Sequence, residues 1–111
     1  ELLTPHWTYG SGEADLTVMK LIISGLKDGK PVKYTYEMYD EYDPASGTLS
    51  MARTTGYTCT AVTQLVLEGK YSQPGISPPE FVGRVEGCWG YVRQYLKERG
   101  VHLKNYEEVV T

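Results

Sequence analysis

A two-residue turn at Asp28-Gly29, set between two strand-like runs, is the feature that most narrows what this chain can become. Asp-Gly between apolar segments supplies the positive φ angles of a tight hairpin loop, and Gly25 adds conformational freedom just ahead of it. Downstream, Val32, Tyr34, Tyr36 and Met38 alternate with Lys33, Thr35 and Glu37, the period of a strand with one buried face. Upstream, from Thr17, the residues Val18, Met19, Leu21, Ile22 and Ile23 form a mixed apolar run that suits a central strand covered on both faces. The two runs are expected to pair antiparallel.

Asp43-Pro44-Ala45-Ser46-Gly47 marks a second turn, and Thr48 to Ala52 reads as a further strand or an extended lead-in. A helix should follow, with Thr58, Ala61, Val62, Leu65 and Val66 as its core stripe, Thr54 or Thr55 as N-cap and Gly69 as its left-handed stop. Ser77-Pro78-Pro79-Glu80 has the composition of a capping box, with Pro78 at the first helical position. Gly83 and Gly87 argue against one long helix there. A second start near Glu86 would carry the stripe Val85, Cys88, Trp89, Val92 and Leu96 to Arg99, ended by Gly100. Val101 to Tyr106 alternates weakly, as a final strand before an acidic tail, and the stretch up to about Asp15 reads as an irregular leading arm. The expected fold class is α+β: a mostly antiparallel sheet, the β-hairpin plus further strands, packed with two or three helices in a single domain.

At 111 residues, 41% apolar and 23% charged, the chain can bury one core without metals or disulfides. Eleven basic residues against fourteen acidic give a formal charge of -3, which leaves no electrostatic footprint for nucleic acid and no polybasic stretch for a membrane. Cys59 and Cys88 lie far apart and read as reduced thiols of a cytoplasmic protein. The start at Glu1 reads as that of a piece of a larger chain. His6 and His102 lack ligand spacing to the cysteines, and the acidic cluster Glu37, Asp40, Glu41 and Asp43 reads as a solvated strand end. Ten tyrosines and two tryptophans against one phenylalanine is a mixture that interfaces favour. Trp89 is expected to pack in the core, whereas for Tyr34 and Tyr36 core packing and partner contact both stand open.

Arg53-Thr54-Thr55-Gly56 lies where an extended segment is expected to turn into a helix. Such a junction aims unpaired N–H groups and the positive end of the helix dipole at one spot. Arg53 would add a permanently charged fork, Thr54 and Thr55 neutral donors, and Gly56 room for close approach, a set matched to a carboxylate. The other reading of the same residues is a threonine cap, an Arg53 ion pair with a nearby acid, and a glycine that eases packing.

Several runs occur together in a telling order: Asp15-Leu16-Thr17-Val18-Met19, Asp28-Gly29-Lys30, Ser50-Met51-Ala52-Arg53-Thr54-Thr55-Gly56, Leu67-Glu68-Gly69, Pro78-Pro79-Glu80 and Arg99-Gly100-Val101. In this the chain resembles the C-terminal domain of saccharopine dehydrogenase-like proteins, a family that includes saccharopine reductases and lysine 6-dehydrogenase-type enzymes, from about Thr4 to Leu103. The resemblance implies a parent enzyme in which an N-terminal Rossmann domain binds NAD or NADP and this domain faces the nicotinamide and forms a homodimer interface. It implies hydride transfer at the C–N bond of an amino acid, with Arg53, Thr54, Thr55 and Gly56 binding a carboxylate of the substrate. The chain itself has no Gly-x-Gly-x-x-Gly after a strand, and Gly10-Ser11-Gly12 lacks the third glycine, so no cofactor site and no activity are expected in these residues alone. A non-enzymatic homodimerisation module is the alternative.

Overall fold

The computed structural model describes residues 3, 8–10 and 12–109. Much of the expected leading arm, including His6 and Ser11, and the end of the acidic tail lie outside the described residues. Strand β1 (Leu16–Lys27) turns at Asp28-Gly29 into β2 (Lys30–Glu41), and the two pair antiparallel from Leu16 opposite Glu41 to Lys27 opposite Lys30. Asp28 and Gly29 take φ angles of 52° and 76°, both left-handed, as a two-residue hairpin loop with matching twist requires. Gly25 stands within β1, opposite Val32, and not in the turn.

β3 (Leu103–Val109) pairs antiparallel with the other side of β2, giving the order β1-β2-β3. The central strand is therefore β2, and the expectation of a central β1 is corrected. Apolar residues alone do not bury a strand: Val18 and Ile22 remain 67% and 56% exposed because nothing among the described residues covers their face. β3 also runs further than expected and takes Glu107 and Glu108 into the sheet, opposite Tyr34 and Lys33.

Helix α1 (Ser50–Leu67) starts directly after the second turn, so no strand or lead-in spans Thr48 to Ala52. Its buried face runs through Ser50, Arg53, Ala61 and Leu65, with Tyr57 packed against the core. Ala61 and Leu65 match the expected stripe, while Thr58 and Val66 lie on the exposed side. Two buried polar residues, Ser50 and Arg53, define the true phase of this helix, and apolar periodicity cannot see them. Gly69, at φ 68°, ends the helix, with Gly69 N–H bonded to the Val66 carbonyl and Lys70 N–H to that of Leu65.

Helix α2 (Pro79–Arg84) is a short turn whose N-cap is Pro78. No side-chain cap forms there, so the expected capping box is absent and the Ser77 hydroxyl is buried without a hydrogen-bond partner. Helix α3 (Cys88–Glu98) begins after Gly87 and buries Cys88, Val92 and Leu96, while Val85 and Trp89 stay 38% and 41% exposed. Trp89 meets the edge of Tyr36 at 6.2 Å between ring centroids, which sets α3 on the inward face of the sheet. Gly100, at φ 81°, terminates it as expected.

The core unites Ala61, Leu65, Tyr71, Val82, Cys88, Val92, Leu96 and Val101, and the sheet contributes Met38 and Leu103 to it from one end. The layers are helices against one end of a long sheet. A radius of gyration of 17.2 Å reflects the projecting hairpin; a compact domain of about this length has roughly 13 Å. Cys88 is buried and Cys59 exposed, both as free thiols. No helix among the described residues is long and apolar enough to cross a membrane.

Candidate functional site

The inward period of β2 does not stop at Met38. It continues to Asp40, which is 5% exposed and sits opposite Thr17 of β1. Asp40 thus corrects the reading of the acidic cluster as a solvated strand end, for a carboxylate at this depth needs charged or hydrogen-bonding partners. It has them: the Ser50 hydroxyl donates to Oδ2 at 2.8 Å, and Arg53 reaches both oxygens from Nε and Nη2 at 3.3 Å each. Ser50 Oγ also lies 2.8 Å from Thr17 Oγ1, so strand β1, strand β2 and helix α1 meet at one hydroxyl.

Arg53 is held on two further sides. Nη1 donates to Asp43 Oδ2 at 3.4 Å, and Nη2 to the Arg99 carbonyl at 3.1 Å, at the C-terminal end of α3 where the helix dipole is negative. These four contacts leave one of the guanidinium's five N–H groups, on Nη1, uncommitted within the site. Hydrogen bonding to Asp40 raises the Arg53 pKa further above its ordinary value, against the opposing effect of burial. The Asp43 carboxyl is pushed below its ordinary value by the Ser46 hydroxyl first and then the Ala45 N–H, with a smaller contribution from Arg53.

A carboxylate from far along the chain occupies the start of α1. Asp15 Oδ1 accepts from the Ser50 N–H at 2.6 Å and Oδ2 from the Met51 N–H at 2.8 Å. The N-cap position is Leu49, which supplies no side chain, so neither Thr54 nor Thr55 caps the helix. The Arg53 N–H is already bonded to the Leu49 carbonyl at 3.0 Å, which places the helix opening before the Arg-Thr-Thr-Gly run and not within it. The expected junction at that run is corrected accordingly.

The four residues of the run do not converge. Arg53 borders an open polar pocket of about 670 Å³ together with Tyr39, Asp40, Tyr42, Asp43 and Arg99. Thr55 faces a different, apolar groove of about 590 Å³ between α1 and α2, with Cys59, Val62, Val66 and Val82. The Thr54 hydroxyl donates back to the Ser50 carbonyl at 2.9 Å. Beside Gly56 there is open space where a side chain would stand, so no close packing demands glycine there. Asp15, Asp40 and Asp43 are the site residues that the sequence reading missed. For Asp40 the signal was present in the alternation from Val32 onward; for Asp15 there was none, because its partners lie on another element.

Chemically, the pocket joins a paired guanidinium and several carboxylates beside Tyr39 and Tyr42, and these charged groups complement a small molecule bearing both charges. The family model described as Saccharopine dehydrogenase C-terminal domain matches residues 1–101 of the chain. No solved structure matches it.

Proposed function

The chain belongs to the saccharopine dehydrogenase C-terminal domain family, and from that premise we propose that it is the substrate-binding and dimerisation domain of an oxidoreductase acting on the C–N bond of an amino acid. The observation that carries this reading is the Arg53 pocket. Its remaining Nη1 donor suits a carboxylate, and Asp43 and Glu41 at the rim suit an ammonium group, so the pocket's donors and acceptors match an amino-acid zwitterion. Arg53 alone of the four-residue run lines this pocket, so the carboxylate contact is assigned to it. Thr55, on the far side of α1, belongs in this reading to a surface that meets the cofactor-bearing Rossmann domain of the parent protein, with Thr54 and Gly56 on the flanks between.

The sequence contains no Gly-x-Gly-x-x-Gly, the turn with which a Rossmann domain cradles a dinucleotide. NAD or NADP is assigned to the parent's other domain, and no step is routed through it here.

The test is made in the intact parent. Arg53→Ala should weaken substrate binding with cofactor affinity unchanged, whereas Asp40→Asn, which loosens the same network but keeps the guanidinium, should bind substrate nearly as well as wild type. Equal losses in both variants would reduce Arg53 to a structural ion pair. That result would favour the second reading, a non-enzymatic homodimerisation module, which already draws support from the internal use of most Arg53 donors and from the exposed sheet.

A further inference from the structure

Two guanidinium groups line the polar pocket, and the protein uses them differently. Arg53 spends its charge internally, on Asp40 and Asp43. Arg99 is half-buried and has no such partner. Among the described residues it makes no ion pair, and its one side-chain hydrogen bond runs from Nη1 to the Tyr95 carbonyl at 3.0 Å. One of its five N–H donors is thus committed, whereas Arg53 commits all but one. Arg99 is the cation of the pocket that lacks a carboxylate.

Its position is fixed from both sides. Tyr91 and Tyr95 of α3 and Arg99 just beyond its end recur every four residues and share one face. The Arg99 guanidinium carbon lies 3.3 Å from the Tyr95 ring centroid, and Tyr95 stacks on Tyr91 at 6.4 Å between centroids. The Tyr91 hydroxyl donates to Glu68 at 2.8 Å, which ties this column to the end of α1. From the pocket side, Arg53 Nη2 holds the Arg99 carbonyl at 3.1 Å. Tyr57 keeps the two groups in one neighbourhood, with its ring centroid 5.8 Å from Arg53 Cζ and 6.0 Å from Arg99 Cζ. Stacking occupies the face of a guanidinium and leaves its in-plane donors free, the part that takes a carboxylate with two parallel bonds.

We propose that Arg99 is a second arm on the substrate's carboxylate, taking it with its in-plane donors while Arg53 adds its remaining Nη1 donor. This rests on the amino-acid reading of the pocket above and names the residue that supplies most of the grip. It also divides the labour between the two arginines. Arg53, bound to Asp40, Asp43 and the Arg99 backbone, chiefly holds the wall of the pocket in place, and Arg99, stacked but unpaired, keeps its donors for the ligand. Tyr95 acts through Arg99 as a positioning residue.

The test is calorimetric titration of the intact parent with the common L-α-amino acids, each beside its own carboxamide, which has the same shape without the negative charge. For the amino acid that binds, Arg99→Gln should raise the dissociation constant about tenfold or more and leave that of the carboxamide nearly unchanged, since the lost bonds are those to a charged group. Arg99→Lys keeps a cation against Tyr95 and loses the planar fork, so it preserves the fold and should fall between wild type and Arg99→Gln. Arg93→Gln, a change of the same kind on α3 outside this pocket, should bind as wild type does. If Arg53→Ala weakens the amino acid while Arg99→Gln and Arg99→Lys do not, the role of Arg99 is overturned and the amino-acid reading survives. Equal losses for acid and carboxamide in the Arg99 variants reduce Arg99 to a structural stack and likewise overturn the proposal. A parent that binds none of these amino acids overturns both.

Discussion

Asp15 and Ser50 stand 35 residues apart in sequence, and a 2.6 Å hydrogen bond joins the carboxylate of one to the backbone N–H of the other. With the second oxygen on the Met51 N–H at 2.8 Å, a residue preceding the sheet supplies both the cap and the negative charge that the start of α1 lacks in its own sequence. Asp15→Ala should therefore lower stability by about 1–2 kcal/mol, the worth of a good cap together with a favourable helix-dipole charge. Asp15→Asn, which keeps an acceptor and loses the charge, should fall between. Urea unfolding measures both, and an unchanged midpoint for Asp15→Ala would count against the cap.

This distant cap explains why the start of α1 was not legible in the sequence. Thr54 and Thr55 have the right chemistry for N-caps, but hydrogen bonding over 35 residues leaves no local mark, and the helix begins before them. The opposite holds for the hairpin and for the helix ends at Gly69 and Gly100, where φ-positive residues act within a few positions and could be read directly. The place of β1 failed for a third reason. Apolar β-branched residues look the same whether a face is covered by the chain's own helices or left open, so composition could not separate a central strand from an edge. In the candidate site, Arg53 was recognised by its type, while its buried partner Asp40 followed from a period that an acidic residue seemed to interrupt.

Breaking the Arg53–Asp40 pair should cost more than either residue's net contribution. Asp40 is 4% and Arg53 10% exposed at the side chain, so removing one partner leaves a desolvated charge. Asp40→Ala is expected to lose about 3–5 kcal/mol. The double variant Asp40→Leu with Arg53→Met should recover much of that loss, since an apolar pair of similar volume needs no compensation. A thermodynamic cycle from chemical denaturation gives the coupling; additive losses would show that the two side chains do not act as a pair.

Acid should weaken the turn that leads into α1. Asp43 has a folded-state pKa below its ordinary value, owed first to the Ser46 hydroxyl and then to the Ala45 N–H. Its contribution is then fully present above the unfolded value of about 3.9 and is lost as pH falls through the lower folded-state value. Asp43→Asn should be less stable than wild type at neutral pH, and the gap between them should close as pH drops below about 4. A gap that stays constant across this range would mean that the carboxylate charge contributes nothing at this position.

Gly100 and Gly29 offer a paired test of whether the Arg53 network reaches the end of α3. Both have positive φ, 81° and 76°, so replacement by alanine strains the backbone at either site, by about 1–2 kcal/mol. Their surroundings differ. A Cβ at Gly29 meets nothing within 4 Å, whereas one at Gly100 lies 3.3 Å from Arg53 Nη2, the nitrogen that donates to the Arg99 carbonyl. Gly100→Ala must displace the guanidinium as well, and should cost about 1–2 kcal/mol more than Gly29→Ala as hydrogen bonds to a charged group are weakened. That excess should disappear when both substitutions are repeated in an Arg53→Met background. If it persists there, the added cost comes from the helix end itself, and the contact between Arg53 and the last turn of α3 carries no energy.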